Sequence, residues 1–186
     1  MIHSGLIGSG LRGWSMTILL LLASGLVLCA CGSPGRAKGG MQGKVVGIKD
    51  GDTFEVLIDG KAEVVRLAHI DCPERRQPYG KAAKQFASDL CFGKDVIVKE
   101  EGRRDRYGRM IAVVRLPKGP VVNKELIRAG LAWHFTRYSS DTSYARLEQQ
   151  ARAARTGLWA DASPIPPWDW RKPKPGTRTT TKEAVQ

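Results

Sequence analysis

Short apolar runs bounded by turn residues occupy the chain between residues 44 and 70. An Asp-Gly pair separates the run 44–48 from the run 53–58, and a second Asp-Gly pair precedes the run 62–70. Asp-Gly between apolar runs rich in β-branched residues is typical of β-hairpins. The pattern therefore predicts three consecutive strands in this part of the chain.

Helical spacing replaces the strand pattern after a polar loop at 71–78. Apolar residues recur every three or four positions over 79–92 and Gly93 supplies a stop, which predicts an amphipathic helix. We expect Asn123, and Ser140 or Asp141, to cap two later helices. The remaining predicted elements are strands at 94–99 and 110–116 and helices that end near Gly130 and Gly157.

The order of these elements decides the fold class. Three strands, a helix, two strands and two helices show no strand–helix alternation, which argues against a doubly wound parallel sheet. Five short strands with a helix inserted after the third suit an α+β fold. We predict a five-stranded OB-type Greek-key β-barrel with three helices.

The composition is that of a globular protein. Apolar residues make up 42% of the 186 residues and charged residues 26%, which argues against wholesale disorder and against a polytopic membrane protein. This length suits one domain, which we place at 41–162 after a linker at 31–40. Residues 163–186 hold five of the ten prolines and read as a mostly disordered basic tail.

The charge balance points to a polyanionic partner. The chain carries 30 Lys and Arg against 18 Asp and Glu, a formal net charge of +12, and only Arg12 of these charges lies within residues 1–30. The partner is either nucleic acid or an anionic membrane surface. Four cysteines are too few for a disulfide scaffold, and a disulfide between Cys72 and Cys91 stays open at this point.

The first 30 residues read as an export signal. Their apolar run, 16–30, is shorter than the roughly 20 residues that a spanning helix needs, and it fits the apolar core of a secretory signal. The run ends in Leu-Cys-Ala-Cys, which resembles a bacterial lipoprotein signal with Cys31 as the lipid anchor. The alternatives are an ordinary signal cleaved near Ala30 and a retained membrane anchor. We expect an envelope lipoprotein, or a secreted or periplasmic protein if the signal is simply cleaved.

Four groups of polar residues exceed what a simple core needs. Arg66 lies within an apolar strand and should have an anionic partner, because an unpaired buried charge is costly. Taken alone, each of the other groups is an ordinary turn or loop. The four groups are Asp50-Gly51-Asp52, Arg66, Asp71-Cys72-Pro73-Glu74 and Tyr107-Gly108-Arg109.

Together these groups suit a metal-assisted attack on a phosphodiester. Carboxylate oxygens favour a hard cation such as Ca²⁺ or Mg²⁺, and guanidinium groups match phosphate oxygens. The sequence has no His/Cys set with zinc-ligand spacing, no P-loop and no Gly-x-Ser-x-Gly elbow. Zinc enzymes, P-loop NTPases and serine hydrolases of that kind therefore lack support.

The motifs resemble, in order and spacing, those of the staphylococcal (micrococcal, thermonuclease-type) nucleases over about residues 43 to 160. The resemblance implies a five-stranded OB barrel and a Ca²⁺-dependent endonuclease that hydrolyses DNA and RNA and leaves 3′-phosphates. The motifs that carry it are Asp50-Gly51-Asp52-Thr53, Val65-Arg66-Leu67, Ile70-Asp71-Cys72-Pro73-Glu74, Asp105-Arg106-Tyr107-Gly108-Arg109, Val122-Asn123-Lys124-Glu125-Leu126 and Ala129-Gly130-Leu131-Ala132.

The resemblance also implies a set of metal ligands. Asp52 and Asp71 match carboxylate ligands of calcium, and the backbone carbonyl of Cys72 matches a third ligand. Cys72 stands where the family has threonine, but a main-chain ligand should survive that change. Asp50 matches an acid that lies next to the metal ligands without binding the ion itself. Glu74 matches the residue that holds or activates the attacking water.

Two arginines and two tyrosines match residues that contact substrate. Arg66 and Arg109 correspond to the arginines on the phosphate, and Tyr107 corresponds to a substrate-contacting tyrosine. Tyr138 is a second such tyrosine by a looser match, because residues 133–137 depart from the family pattern.

The sequence leaves two other functional hypotheses open. One is a catalytically silent OB-fold lipoprotein that binds nucleic acid, and the other is a structural envelope lipoprotein that binds anionic surfaces through its tail. Trp168 and Trp170 in that tail either dock on the barrel, which we expect, or stack on bases. We expect a monomer whose partners are DNA and RNA, with a membrane contact through Cys31.

Overall fold

The structure is a computed structural model that describes residues 39–173. The predicted signal, the anchor at Cys31 and residues 174–186 lie outside the described residues. Within the part of the chain that is described, no helix combines the length and apolarity needed to cross a membrane.

The structure contains seven strands among its described residues, which are in chain order β1 (Met41–Asp50), β2 (Thr53–Ile58), β3 (Lys61–Leu67), β4 (Ile70–Asp71), β5 (Asp95–Glu100), β6 (Met110–Arg115) and β7 (Trp133–His134). Five of them close into a barrel in the order β1-β2-β3-β6-β5. β3 and β6 pair in parallel, and the other four pairings are antiparallel. β4 and β7 form a separate two-stranded sheet beside the barrel.

Alternation of buried and exposed side chains explains the barrel. Along β6, Met110, Ala112 and Val114 are buried, whereas the residues between them are only partly covered. Such a period of two puts one face of the strand into the core. The fully buried Phe54 and Val65, which are paired across β2 and β3, meet these residues in one cluster.

Helices cover the barrel and close its core. They are α1 (Gly80–Cys91), α2 (Val122–Arg128), α3 (Thr142–Ala153) and the short α4 (Pro167–Trp170), with a 3₁₀ turn at Gly157–Ala160. α1 buries Ala83, Ala87 and Cys91 against the barrel. The predicted α+β fold with a five-stranded barrel and three longer helices is therefore confirmed, and α4 is an addition.

The third strand is interrupted where the sequence predicted continuity to residue 70. β3 ends at Leu67, and His69 adopts a left-handed conformation with φ of 68°. The chain then leaves the barrel, so that Ile70 and Asp71 pair with His134 and Trp133 of β7. An unbroken apolar run does not reveal such a bend, because the residues on both sides of it are buried.

Asn123 does not cap α2, and that prediction was wrong. Val121 occupies the cap position without a side-chain hydrogen bond, and Asn123 is fully buried within the helix. Its Oδ1 accepts the N–H of Val114 at 2.9 Å, and its Nδ2 donates to the carbonyls of Ala68 at 3.0 Å and Ala112 at 3.2 Å. The amide thereby links the bend that follows β3, at Ala68, to strand β6.

α3 matches its predicted start but not its predicted end. Asp141 caps it by accepting the N–H of Ser143 at 2.8 Å. The helix stops at Ala153, and Gly157, with φ of 58°, begins the 3₁₀ turn instead. A Cβ at Gly157 would lie 2.4 Å from the carbonyl oxygen of Gly130, so close backbone packing requires glycine there.

The first part of the predicted disordered tail is folded. Residues 163–173 include α4, which begins at Pro167, and the side-chain amide of Gln77 donates to the carbonyl of Ile165 at 2.6 Å. Trp168 packs edge-on against Trp133 with ring centroids 5.6 Å apart. Its expected docking is confirmed, and the prediction of disorder was wrong up to residue 173.

Cys72 and Cys91, the two cysteines among the described residues, are free and buried. Burial raises the pKa of the Cys91 thiol to about 12 and raises that of Cys72 well above its ordinary value. Both side chains therefore act as small apolar groups in the core.

Replacing Asn123 with alanine should destabilise the fold. The change leaves the N–H of Val114 and the carbonyl of Ala68 without this partner in the interior, whereas the carbonyl of Ala112 still accepts the N–H of Ala68. The free energy of unfolding should therefore fall by at least about 1–3 kcal/mol. Urea denaturation followed by circular dichroism measures this loss. Gln149→Ala, at an exposed position of α3, is the control and should change stability by less than about 0.5 kcal/mol. Equal stability of the two variants would contradict the bridging role.

Candidate active site

One cleft on the barrel is lined by all the residues that the sequence analysis selected for a phosphodiester site. The turn between β1 and β2, the end of β3, β4 and the loop before β6 form its walls. The selected residues in its lining are Asp50, Asp52, Arg66, Asp71, Cys72, Glu74, Tyr107, Arg109 and Tyr138. Residues up to 88 positions apart in sequence thus share one concave surface.

Arg66 lies at the floor of the cleft between two carboxylates. Its Nη1 is 3.1 Å from Asp52 Oδ2, and its Nη2 is 2.8 Å from Asp71 Oδ1. Nη1 also donates to the carbonyls of Leu67 at 2.9 Å and Ile70 at 3.0 Å. The anionic partners expected for Arg66 are therefore present. Burial opposes its charge, but Asp52 and Asp71 outweigh that effect and raise the pKa of the guanidinium.

A close backbone approach positions Asp52. A Cβ at Gly51 would lie 2.8 Å from the Cβ of Ala83 and 2.9 Å from the Cβ of Cys72, so the turn packs against α1 only with glycine there. Asp52 then accepts the N–H of Cys72 through Oδ2 at 2.7 Å. The Asp-Gly-Asp turn therefore does more than reverse the chain, because it fixes a carboxylate beside β4.

The carboxylates of Asp50 and Asp52 lie close together in a partly buried part of the cleft. Burial, followed by repulsion from the charge of Asp52, raises the pKa of Asp50 to about 6. Burial also raises the pKa of Asp71, although that carboxylate has arginine partners. Like charges in a partly desolvated site favour the binding of a cation.

The donor set fits a hard divalent cation. In residues 39–173, no three His, Cys, Asp or Glu side chains converge tightly enough to hold an ion by themselves. An ion here would depend on the carboxylates of Asp52 and Asp71 together with main-chain, water or substrate oxygens. Oxygen donors with open positions suit Ca²⁺ or Mg²⁺, so the residues present are chemically able to hold such an ion.

Asp105 holds Arg109 in place. Arg109 Nε donates to Asp105 Oδ2 at 2.7 Å, and Oδ1 accepts the backbone N–H groups of Tyr107 at 2.9 Å and Arg109 at 3.0 Å. Burial works against the charge of Asp105, but these hydrogen bonds prevail and lower its pKa. Sequence analysis gave Asp105 no role. An aspartate at the start of a turn that contains glycine, as in 105–108, commonly accepts the backbone N–H two residues further on, and this was the available signal.

Two exposed tyrosines stand at the rim of the cleft. Tyr107 and Tyr138 are 67% and 69% exposed, although each is a large ring. The guanidinium of Arg109 lies 5.4 Å from the ring centre of Tyr107, and Phe135 packs edge-on against Tyr138 at 4.9 Å. The guanidinium of Arg106 also lies 4.8 Å from the ring centre of Tyr107, and that of Arg137 lies 5.6 Å from the ring centre of Tyr138, so both exposed rings are partly covered by cations.

Arg171 is a residue of the cleft that sequence analysis missed. Its Nη1 donates to Glu74 Oε1 at 2.7 Å, and its Nη2 donates to Asp71 Oδ2 at 2.6 Å. The residue was assigned to the disordered tail. The signal against that assignment was the pair Trp168 and Trp170, because disordered segments are poor in aromatic residues.

Comparison with known proteins agrees with this geometry. The family model described as "Staphylococcal nuclease homologue" matches residues 64–161. A protein named "Uncharacterized endonuclease" from Escherichia coli is 41% identical over 157 residues, covering 84% of this chain and 96% of the relative. "Micrococcal nuclease" from Shigella flexneri is 39% identical over 141 residues, covering 70% of this chain and 80% of the relative.

A further relative, named "Uncharacterized endonuclease", comes from Haemophilus influenzae. It is 41% identical over 158 residues and covers 84% of each chain. The family model and these similarities agree with the barrel and with the cleft of carboxylates and arginines. The chain belongs to the staphylococcal nuclease family and is a thermonuclease-like endonuclease.

Proposed function

We propose that this endonuclease is a Ca²⁺-dependent phosphodiesterase that hydrolyses DNA and RNA with little sequence preference and leaves 3′-phosphates. The observation that carries the proposal is the convergence of Asp52, Asp71 and Arg66 in one open cleft. The residues that would hold the ion are Asp52 and Asp71, with the backbone carbonyl of Cys72. When bound, Ca²⁺ supplies a positive charge that polarises a phosphoryl oxygen.

The arginines supply the remaining positive charge. Arg66 is held rigidly by two carboxylates and two carbonyls, so it meets a phosphate without reorganisation. Arg109 enters from the opposite loop and is oriented by Asp105. The two guanidinium groups stabilise the negative charge that builds on the phosphoryl oxygens during in-line attack. Arg109 also assists departure of the 5′ oxygen.

Glu74 is the residue that activates or positions the attacking water. Its side chain is 40% exposed at the edge of the cleft, so a water molecule reaches its carboxylate. A carboxylate that is not consumed by the ion either accepts the proton from water or orients the molecule. Asp50, behind Asp52, adds negative charge to the site.

Recognition through phosphates explains the expected tolerance of sequence. The arginines contact the phosphate backbone of the nucleic acid, and the net charge of +12 attracts it. The phosphate backbone carries no base information. Tyr107 and Tyr138 at the rim provide ring faces for stacking, which every base accepts. Affinity should therefore fall steeply as salt increases.

Substitution of Arg66 or Glu74 by alanine tests the mechanism. Either change should lower turnover by about 10²–10³-fold, because each removes a group that acts on the reacting atoms. The measurement is degradation of plasmid DNA and of RNA in Ca²⁺, with a chelator as a blank. Lys118→Ala, on an exposed turn, should cleave like wild type.

Two outcomes would count against this mechanism. A folded Arg66→Ala or Glu74→Ala protein with wild-type turnover would remove that residue from it. Wild-type protein that retards DNA in Ca²⁺ without cleaving it would instead be a silent binding module.

Asp105 should act through Arg109. Asp105→Asn keeps an acceptor for the backbone turn but loses the charge that orients the guanidinium, so turnover should fall by about 10-fold to 100-fold. In an Arg109→Ala background the same change should have no further effect, because the two residues form one unit. Additive losses in the double variant would show that Asp105 has a separate role.

We also propose that the protein is exported and anchored through Cys31. The supporting observation is the apolar run 16–30 followed by Leu-Cys-Ala-Cys. In a bacterium that processes lipoproteins, the wild-type protein should incorporate labelled palmitate and partition into detergent. Cys31→Ser should abolish both, and the matched variant Cys29→Ser should not. Labelled Cys31→Ser protein would contradict the anchor.

A further inference from the structure

The C-terminal segment places a guanidinium on two carboxylates of the cleft. Arg171 reaches both oxygens of Asp71, at 2.6 Å and 3.3 Å, and Oε1 of Glu74 at 2.7 Å. Asp71 is almost fully buried, with 1% of its side chain exposed, whereas Arg171 remains 44% exposed. A residue from the far end of the described chain thus covers a carboxylate of the catalytic site.

Aromatic packing of the neighbouring Trp168 holds the segment that bears Arg171 beside the cleft. Trp168 stacks on Phe135 with ring centroids 5.5 Å apart and planes 5° from parallel, and it also packs on Trp133. The guanidinium of Arg152 lies 3.6 Å from the ring centre of Trp159, which itself packs on Trp133. The segment is therefore docked independently of the ion pairs made by Arg171.

Arg66 and Arg171 share Asp71 but differ in how firmly they are held. Arg66 has Asp52 and two backbone carbonyls as further partners and is 12% exposed. Within residues 39–173, Arg171 contacts only Asp71 and Glu74 through its guanidinium. When another cation takes the oxygens of Asp71, Arg171 is therefore the partner that leaves.

We propose that Arg171 is a tethered cation that competes with the divalent metal for Asp71 and is held in place by a second ion pair with Glu74. This inference rests on the proposed metal-dependent function of the same site. Arg171 makes its shorter contact with Oδ2 of Asp71, whereas Arg66 lies on Oδ1. A divalent ion that takes Oδ2 would be repelled at short range by a guanidinium on the same oxygen. Arg171 must therefore withdraw before the ion binds, and the site admits metal only in the fraction of molecules in which Arg171 has left.

The competition weakens the apparent metal affinity. If Arg171 covers the carboxylates in about nine-tenths of molecules, the apparent dissociation constant rises about tenfold. The protein would then stay inactive at a metal concentration that would saturate an uncovered site. The contact is an autoinhibitory device whose release is set by metal concentration.

Calorimetric titration of full-length protein with Ca²⁺ alone tests the proposal. Arg171→Ala should bind Ca²⁺ about tenfold more tightly than wild type, because the covering fraction is removed. Arg171→Lys keeps the charge but lacks the two-pronged geometry, so its affinity should lie between the two. Lys172→Ala is the matched control, since Lys172 lines the same cleft and pairs with Asp169 instead; it should stay within about twofold of wild type.

Each other result overturns the inference. Equal or weaker Ca²⁺ binding by Arg171→Ala would overturn competition and leave the metal site itself intact. Wild-type affinity in Arg171→Lys beside tighter binding in Arg171→Ala would mean a long-range charge effect only. Absence of Ca²⁺ binding in both wild type and Arg171→Ala would overturn the metal proposal together with this one. Circular dichroism checks that the variants fold, which the docking of Trp168 should ensure.

Discussion

The buried ion pairs of Arg66 with Asp52 and Asp71 are the interaction on which the rest of the cleft depends. They join three separate elements, namely the turn after β1, the end of β3 and the short strand β4. A buried charge without a partner costs several kcal/mol, so the network requires all three elements to be in place at once. Buried ion pairs of this kind add little to the free energy of unfolding. Their effect here is to orient the side chains of Arg66, Asp52 and Asp71. The guanidinium and two carboxylates are fixed relative to one another before any substrate arrives.

The same network brings the carboxylates of Asp50, Asp52 and Asp71 together in a cleft that several arginines also line. Burial is the main cause of the raised pKa values of Asp50 and Asp71. Arg171 pairs with Asp71 from within the chain, and on the proposed mechanism a divalent ion would bind the same carboxylate. The stability of the site and its catalytic capacity would then be linked through the same few oxygens. On that proposal, a group that stabilises the resting protein opposes the ion that makes it active.

Much of this arrangement could be predicted from sequence because its signals are local. Asp-Gly turns predict the first hairpin, and the lone arginine in an apolar strand predicts a buried anionic partner. The break after Leu67 was hidden because buried residues flank it on both sides. Asn123 was read as a cap because amides favour caps, but a tertiary contact with β6 outweighed that preference. Arg171 was missed because its position depends on ring packing between residues more than 30 positions apart.

The two buried thiols have a consequence for the protein's maturation. Disulfide exchange requires an accessible thiolate, and neither Cys72 nor Cys91 presents one in the folded state. In an oxidising environment, mispairing is therefore confined to the interval before the core closes. The yield of native protein would then depend on whether the barrel folds faster than oxidants reach the nascent chain.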